Sequence, residues 1–195
     1  GGARPKVLVG ISGDAMITGA GELPDGFDGW LIKFHSRRDA VEDGCIEFAY
    51  AKTAVAAGIE MPPVRLFSTG TGETFFGVQR FDRAGGRRIH VHTFGNLIHS
   101  NFRIPNCDYE QLLKTARILT KNQTDVEAVF RLMMFNILMN NRDDHVKNFA
   151  FLLNEKDEWQ FAPAYDLTFA PGPGGEHTMT VAGEGRAPAR EHIFK

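Results

Sequence analysis

At 195 residues, with 43% hydrophobic and 24% charged residues, the chain has the length and composition of one sizeable folded domain or a two-lobed unit. A formal net charge of −2 supplies no basic excess, so direct nucleic-acid binding is not expected and a role on DNA would need a partner. No apolar run approaches the roughly 20 residues that span a bilayer, and the opening GGARPKVLVG lacks an initiator Met and a signal-peptide core, which reads as an excised fragment or processed chain.

In chain order, Gly1-Gly2-Ala3-Arg4-Pro5-Lys6 leads into the apolar Val7-Leu8-Val9. Glycines before a strand let backbone amides approach a phosphate, and Arg4 or Lys6 can add charge; a flexible chain end is the simpler reading. The Walker pattern is absent. After a glycine-rich connection from Gly10 to Gly29, Trp30-Leu31-Ile32-Lys33-Phe34 alternates. Leu31 and Lys33 share a face, and a lysine in mid-strand needs an anionic partner or a path to water. Residues 39–57 turn helical, with Ile46, Ala49, Tyr50, Thr53, Ala54 and Ala57 as the apolar stripe and Gly58 as the stop. Glu47 lies just off that stripe and is a candidate partner for Lys33, as well as an ordinary solvated glutamate.

Two strands follow, Val64 to Phe67 and Phe75 to Phe81, the second closing on the polar Gln79-Arg80-Phe81-Asp82-Arg83. Beyond Gly95 two helices are expected. Asp108 or Tyr109 opens the first, with Leu112, Leu113, Ala116 and Leu119 inward. Asp125 caps the second, whose stripe is Val126, Val129, Phe130, Met133, Met134, Ile137 and Leu138. Cys45 and Cys107 fit neither a disulfide nor a metal spacing and read as reduced thiols of an intracellular, cytoplasmic protein. The scattered histidines give no zinc pattern.

The second helix runs into Asn141-Arg142-Asp143-Asp144-His145-Val146-Lys147-Asn148. An apolar hairpin comes next, with Phe149, Phe151 and Leu153, a polar turn from Asn154 to Glu158, then Trp159 and Phe161, and it delivers Asp166. Such a ribbon brings its flanks, Asn148 and Asp166, together as oxygen ligands for a hard cation. Asp143 and Asn148 have the Asp-x-x-x-x-Asn spacing of the protein-kinase catalytic loop; by itself this is equally a polar helix end and turn.

Asn141-Arg142-Asp143-Asp144-His145-Val146-Lys147-Asn148-Phe149 with Ala162-Pro163-Ala164-Tyr165-Asp166-Leu167 resembles the signature of HipA-like kinases, toxins of bacterial toxin–antitoxin modules. The Gly1 to Lys6 segment, Arg80-Phe81-Asp82-Arg83, Glu176-His177 and Gly183-Glu184-Gly185-Arg186 are also similar. The resemblance implies an α+β, protein-kinase-like two-lobed fold: a small β-rich N-lobe with one helix over 1–82 and a mainly helical C-lobe over 83–195. It implies ATP and Mg²⁺ as cofactors, a protein with a Ser or Thr as substrate, and a helix-turn-helix antitoxin as partner. Carried over by position, Asp143 is the catalytic base and Lys147 neutralises γ-phosphate charge. Asn148 and Asp166 hold the metal, Lys33 binds phosphate, and Ala3, Arg4, Pro5 and Lys6 form the phosphate loop. Gln79 and Phe81 meet adenine through backbone groups, and His145 belongs to the nucleotide site. Kinases of this type usually carry a further small subdomain and a regulatory serine ahead of the glycine-rich loop, and further helices after the core, so control and full activity stay open here. Two other readings use the same residues: a nucleotide-binding pseudokinase held by an antitoxin, and a metal-dependent phosphoesterase, which leaves Lys33 and the connector unexplained.

Overall fold

The computed structural model describes residues 5–19, 21–34, 43–70, 72–100 and 107–195. Alternation of side chains along the first segment builds β1 (Lys6–Ser12), β2 (Ala15–Thr18) and β3 (Asp28–Lys33). β2 lies inside the stretch expected to be a glycine-rich connection; Gly13, at φ 58, turns β1 back on it. α1 (Asp43–Ala56) follows, then β4 (Val64–Ser68) and β5 (Thr74–Gln79). The five strands form one antiparallel sheet in the order β2-β1-β3-β5-β4. One face is sealed by Val9, Ile11, Trp30 and Ile32, with Phe67 and Phe75 against them. Gly77 is a close-approach site, since a Cβ there would collide with the Phe67 ring.

Helix α1 packs on β4 and β5, but on a different face from the one its apolar residues suggest. Gly44, Glu47, Ala51 and Ala54 are its buried positions, whereas Ile46 is 38% exposed. The stripe expected around Ile46 is therefore rotated, because the face that turns inward is the one that brings Glu47 to Lys33.

The rest of the chain contributes β6 (Arg83–Ala84), β7 (Arg87–Arg88), β8 (Val91–Thr93), α2 (Phe94–Leu97), β9 (Cys107–Asp108), α3 (Tyr109–Thr120) and α4 (Gln123–Leu138). It closes with β10 (Ala150–Leu153), β11 (Trp159–Phe161), β12 (Met179–Thr180) and α5 (Arg190–Ile193). Asp108 caps α3 as expected, accepting the Glu110 N–H at 2.8 Å. For α4 the cap is Asn122 and not Asp125: Asn122 accepts the Thr124 N–H at 3.0 Å, and Asp125 falls in the first turn, where its charge suits the helix dipole. Leu138, expected inward, is the last residue of the helix and is 71% exposed, while Leu132 and Phe135 are buried.

The expected hairpin is β10 and β11, paired Phe151 to Phe161, with β8 added on the other edge of β10. Its inner face joins α3 and α4 in the main core, which contains Phe94, Tyr109, Leu112, Val129, Leu132, Met133, Phe149 and Phe151. Several contacts tie the sheet-rich part to this core, among them two hydrogen bonds to backbone carbonyls. The Tyr50 hydroxyl donates to Met139 O at 2.6 Å, and the Ala164 N–H donates to Glu60 O at 2.8 Å. No helix among the described residues is long and apolar enough to cross a membrane.

Phe151 is fully buried and its ring lies 5.5 Å from that of Phe161. Phe151→Ala is expected to cost about 3–5 kcal/mol in urea unfolding through lost burial and a residual cavity. Ile118→Ala, at a position 75% exposed, should change stability by no more than about 0.5 kcal/mol. Equal losses in the two variants would contradict this placement of the core.

Candidate active site

The pleat of β3 sends Trp30 and Ile32 into the sheet's apolar side and leaves Leu31 and Lys33 facing the groove between the sheet and the helical part. There Lys33 Nζ donates to Glu47 Oε1 at 2.5 Å and to Asp166 Oδ1. Glu47 is 3% exposed. Burial alone would lower the Lys33 pKa, but the charges of Asp166 and Glu47 and their hydrogen bonds carry it above the usual 10.5. Asp166 sits in the left-handed region, at φ 59, a conformation that aspartate tolerates better than most residues and that is common at functional sites. Burial works to raise its carboxyl; Lys33 first, then Lys6 and His145, outweigh that and hold it below the ordinary value.

Helix α4 hands the chain to a tight loop. Asn148 Nδ2 donates to Asp143 O at 2.8 Å, and the Asn148 N–H donates to His145 O at 2.8 Å. The Asp143 side chain is 60% exposed, and its carboxylate lies 4.0 Å from His145 Nε2. Partial burial raises the Asp143 pKa; His145 opposes the rise, and the negative charges of Asp166 and Asp144 reinforce it. The Tyr165 hydroxyl donates to Lys147 O at 2.7 Å, pinning the segment before Asp166 to this loop. Its ring faces Phe81 of the connector at 5.6 Å.

These elements enclose a cleft of about 570 Å³. Lys6, Lys33, Gln79 and Phe81 line it from the sheet side, and His145, Lys147, Asn148 and Asp166 from the loop side. Leu8, Leu31, Val78 and Tyr165, which were not singled out from sequence, supply apolar wall; their signal is the strand alternation, which puts Leu8 and Leu31 opposite each other in register. Asp143 is not among the residues that line the cleft; its backbone carbonyl accepts the amide of Asn148, which is. Pro5 is spent on the sheet, its carbonyl accepting the Phe34 N–H at 2.9 Å, and Ala3 and Arg4 lie outside the described residues. A larger hollow, about 870 Å³, between the start of α3 and the 180–195 tail contains none of the residues given a catalytic, nucleotide or metal role; convergent chemistry, more than volume, marks the site.

The donor set suits a hard cation. The Asn148 amide nitrogen is occupied by Asp143 O, which leaves its oxygen end for a metal, and Asp166 adds a carboxylate to the same cleft. Among the described residues no group of three or more His, Cys, Asp or Glu converges as a self-sufficient metal cage. Mg²⁺ is commonly held by one or two such side chains, with phosphate oxygens and water completing the shell. The connector is held stiff by Asp82, which accepts Arg80 Nε at 2.8 Å, Arg80 Nη2 at 2.7 Å and Arg83 Nη1 at 2.7 Å.

A β-sheet carrying a Lys–Glu ion pair, set over a helical part with an Asp/Asn loop and a later Asp, defines a protein-kinase-like fold. The model of the HipA-like C-terminal domain matches residues 1–194, and the chain belongs to that family. Curated relatives include two proteins of Sinorhizobium fredii named as candidate kinases. Y4dM is 25% identical over 167 residues, covering 78% of this chain and 40% of Y4dM. Y4mE is 31% identical over 129 residues, covering 60% of this chain and 30% of Y4mE. Among solved structures, HipA of Shewanella oneidensis MR-1, from a toxin–antitoxin complex with HipB and operator DNA, superposes with a TM-score of 0.74 at 18% identity; the match covers 94% of this chain and 47% of that one. The proinflammatory kinase CtkA of Helicobacter pylori superposes with a TM-score of 0.53 at 15% identity, over 71% of this chain and 49% of that one. The two structural likenesses establish the fold, and the chain spans less than half the length of all four relatives.

The connector makes a pH prediction. Burial pushes the Asp82 carboxyl up, and Arg80 and Arg83 more than offset it, so its folded pKa lies below the usual 3.8. A carboxylate depressed in the folded state adds stability that is complete above its unfolded pKa and is lost as the pH falls through the folded one. Between about pH 6 and pH 3, wild-type chain should lose more urea-midpoint stability than Asp82→Asn. Parallel losses would show that the Asp82 pairs contribute nothing to folding.

Proposed function

We propose that this chain is the phosphoryl-transfer core of a HipA-like toxin kinase, passing the γ-phosphate of ATP to a Ser or Thr hydroxyl of a target protein. The observation that carries this reading is that eight residues singled out from the sequence motifs line one cleft, with Lys33 bridging Glu47 and Asp166 at its back. The lobes divide near residue 82, at the Arg80-Asp82-Arg83 turn. In this role Lys33 and Lys6 hold phosphate oxygens, and Arg4 and the backbone of Ala3 extend the phosphate loop, while Pro5, which has no N–H and whose carbonyl accepts the Phe34 N–H, offers the phosphate no backbone donor. Backbone groups of Gln79 and Phe81 receive adenine. Asn148 and Asp166 hold Mg²⁺, which when bound neutralises the phosphate charge.

Asp143 takes the proton of the substrate hydroxyl as its oxygen forms a bond to the γ-phosphorus. The bond from that phosphorus to the bridging oxygen breaks, and its electron pair leaves with ADP. The raised pKa of Asp143 improves its match to that task. Lys147, whose carbonyl is fixed by Tyr165, carries positive charge toward the transferred group, and His145 braces the loop beside Asp143. The HipB in the Shewanella complex supports a helix-turn-helix antitoxin as partner, with contact to DNA made through that partner. The thiol chemistry of Cys45 and Cys107 and the demand for ATP support a cytoplasmic setting.

One observation favours a second reading, a nucleotide-binding module without transfer: Lys33 occupies the carboxylate of Asp166 as well as that of Glu47. Transfer of label from γ-labelled ATP to a Ser/Thr acceptor decides between the two. Asp143→Asn is expected to lower turnover by about 10²–10⁴ while ATP affinity stays within a few-fold. Loss of both to the same degree would defeat the base assignment, and melting stabilised by Mg-ATP with no label transferred would favour the module.

A further inference from the structure

Beneath the loop that carries Asp143 runs a chain of buried polar side chains that the phosphoryl-transfer roles leave unused. Asp144 is 1% exposed, next to a residue that faces solvent. Its Oδ2 accepts the Tyr109 hydroxyl at 2.8 Å and lies 2.9 Å from His177 Nδ1. Its Oδ1 accepts the N–H of Thr178 at 2.8 Å and of Met179 at 3.4 Å. Tyr109 in turn accepts Asn136 Nδ2 at 2.9 Å, and Asn136 Oδ1 accepts Asn141 Nδ2 at 2.9 Å. The chain of bonds therefore starts in the loop at Asn141, passes through α4 and α3, and returns to the loop at Asp144.

Stability alone is a poor account of this arrangement. Burying a carboxylate costs several kcal/mol, and well-packed apolar residues of similar volume commonly serve a core as well or better. What a buried hydrogen-bond network does provide is one defined geometry, and here every polar group of Asp144 is engaged while Asn141 Oδ1 is left without a partner among the described residues. The backbone shows where that geometry is applied. The Asn141 N–H donates to Asn136 O at 3.0 Å, and Arg142 O accepts the Thr178 hydroxyl at 3.0 Å. Gly172, at φ 73, lets the 170–178 segment run close beside the loop; a Cβ there would strike Glu176 O and come within 2.7 Å of Arg142 Cβ. Residues 141, 142 and 144 are thus each tied to the interior, and Asp143 alone of the four turns its side chain outward.

We infer that Asp144 is a positioning residue: through Tyr109, His177 and the Thr178 backbone it fixes the loop so that the Asp143 carboxylate is presented at the cleft. The role of Asp143 rests on the kinase reading; the positioning itself does not. Misplacement of a reacting group by about 1 Å can cost about 10²-fold in rate, so a residue that never meets substrate has a kinetic signature here.

Asp144→Asn keeps the side-chain volume but turns an N–H₂ toward groups that now donate. In the 195-residue chain we expect amide hydrogen exchange across residues 141–148 to quicken by about tenfold, with the remaining core as protected as in wild type. With γ-labelled ATP and dephosphorylated casein as acceptor, kcat should fall by about tenfold or more while KM for ATP moves less than about threefold. Tyr109→Phe, which deletes one donor and leaves the ring, should change both readouts in the same direction by about threefold, and it decides the matter if Asp144→Asn does not fold. Unchanged exchange over 141–148 in the folded variant overturns the inference whatever the rate does, as does exchange that rises evenly through the whole chain. If wild-type chain transfers no label, the kinase reading fails on its own and the exchange measurement still decides positioning.

Discussion

A lysine ammonium withdrawn from water has to be neutralised, and Lys33 is neutralised from two sides, by Glu47 of α1 and by Asp166 beyond the hairpin. The three residues belong to elements far apart in sequence, so their pairing sets how those elements meet. β3 places the lysine by simple alternation. Helix α1 turns a polar residue inward, against its own apolar stripe, because Glu47 buried beside Lys33 is cheaper than Lys33 buried alone. Asp166 adopts a left-handed backbone to reach the same ammonium. Tyr50, one turn along α1 from Glu47, carries the alignment to Met139 at the root of the Asp143 loop.

The loop then separates two adjacent carboxylates by environment. Asp144 is sealed in a network that satisfies it from four donors, and the Asp143 side chain is exposed, with His145 Nε2 4.0 Å from its carboxylate. On the proposed kinase reading, the arrangement would leave Asp143 able to exchange a proton, on a support rigid enough to aim it. Tyr165 adds a second tie by holding the carbonyl of Lys147.

Much of this was legible in the amino-acid order. The alternation of Trp30 to Phe34 put Lys33 on the face opposite Trp30 and Ile32, the Phe149 to Phe161 pattern gave the hairpin, and Asn148 and Asp166, on its two flanks, line one cleft. The pairing of Lys33 with Glu47 was also within reach. The failures have a common cause: apolar periodicity counts hydrophobic residues and is blind to a buried charge. That rule turned α1 toward Ile46, gave no reason to bury Asp144, and could not connect it to Tyr109 or His177, which lie 35 and 33 positions away. β2 was hidden for a different reason, since the glycines flanking it signal turns more strongly than its four residues signal a strand.

The central claim is that Lys33, Asn148 and Asp166 together form a seat for a magnesium-bound nucleotide, and calorimetric titration of ATP with and without Mg²⁺ tests it most directly. In wild-type chain Mg²⁺ should tighten ATP binding by about tenfold or more, and in Asp166→Asn that gain should vanish while metal-free binding persists. An equal gain from Mg²⁺ in both proteins, or no ATP binding to the wild-type chain, would contradict the account.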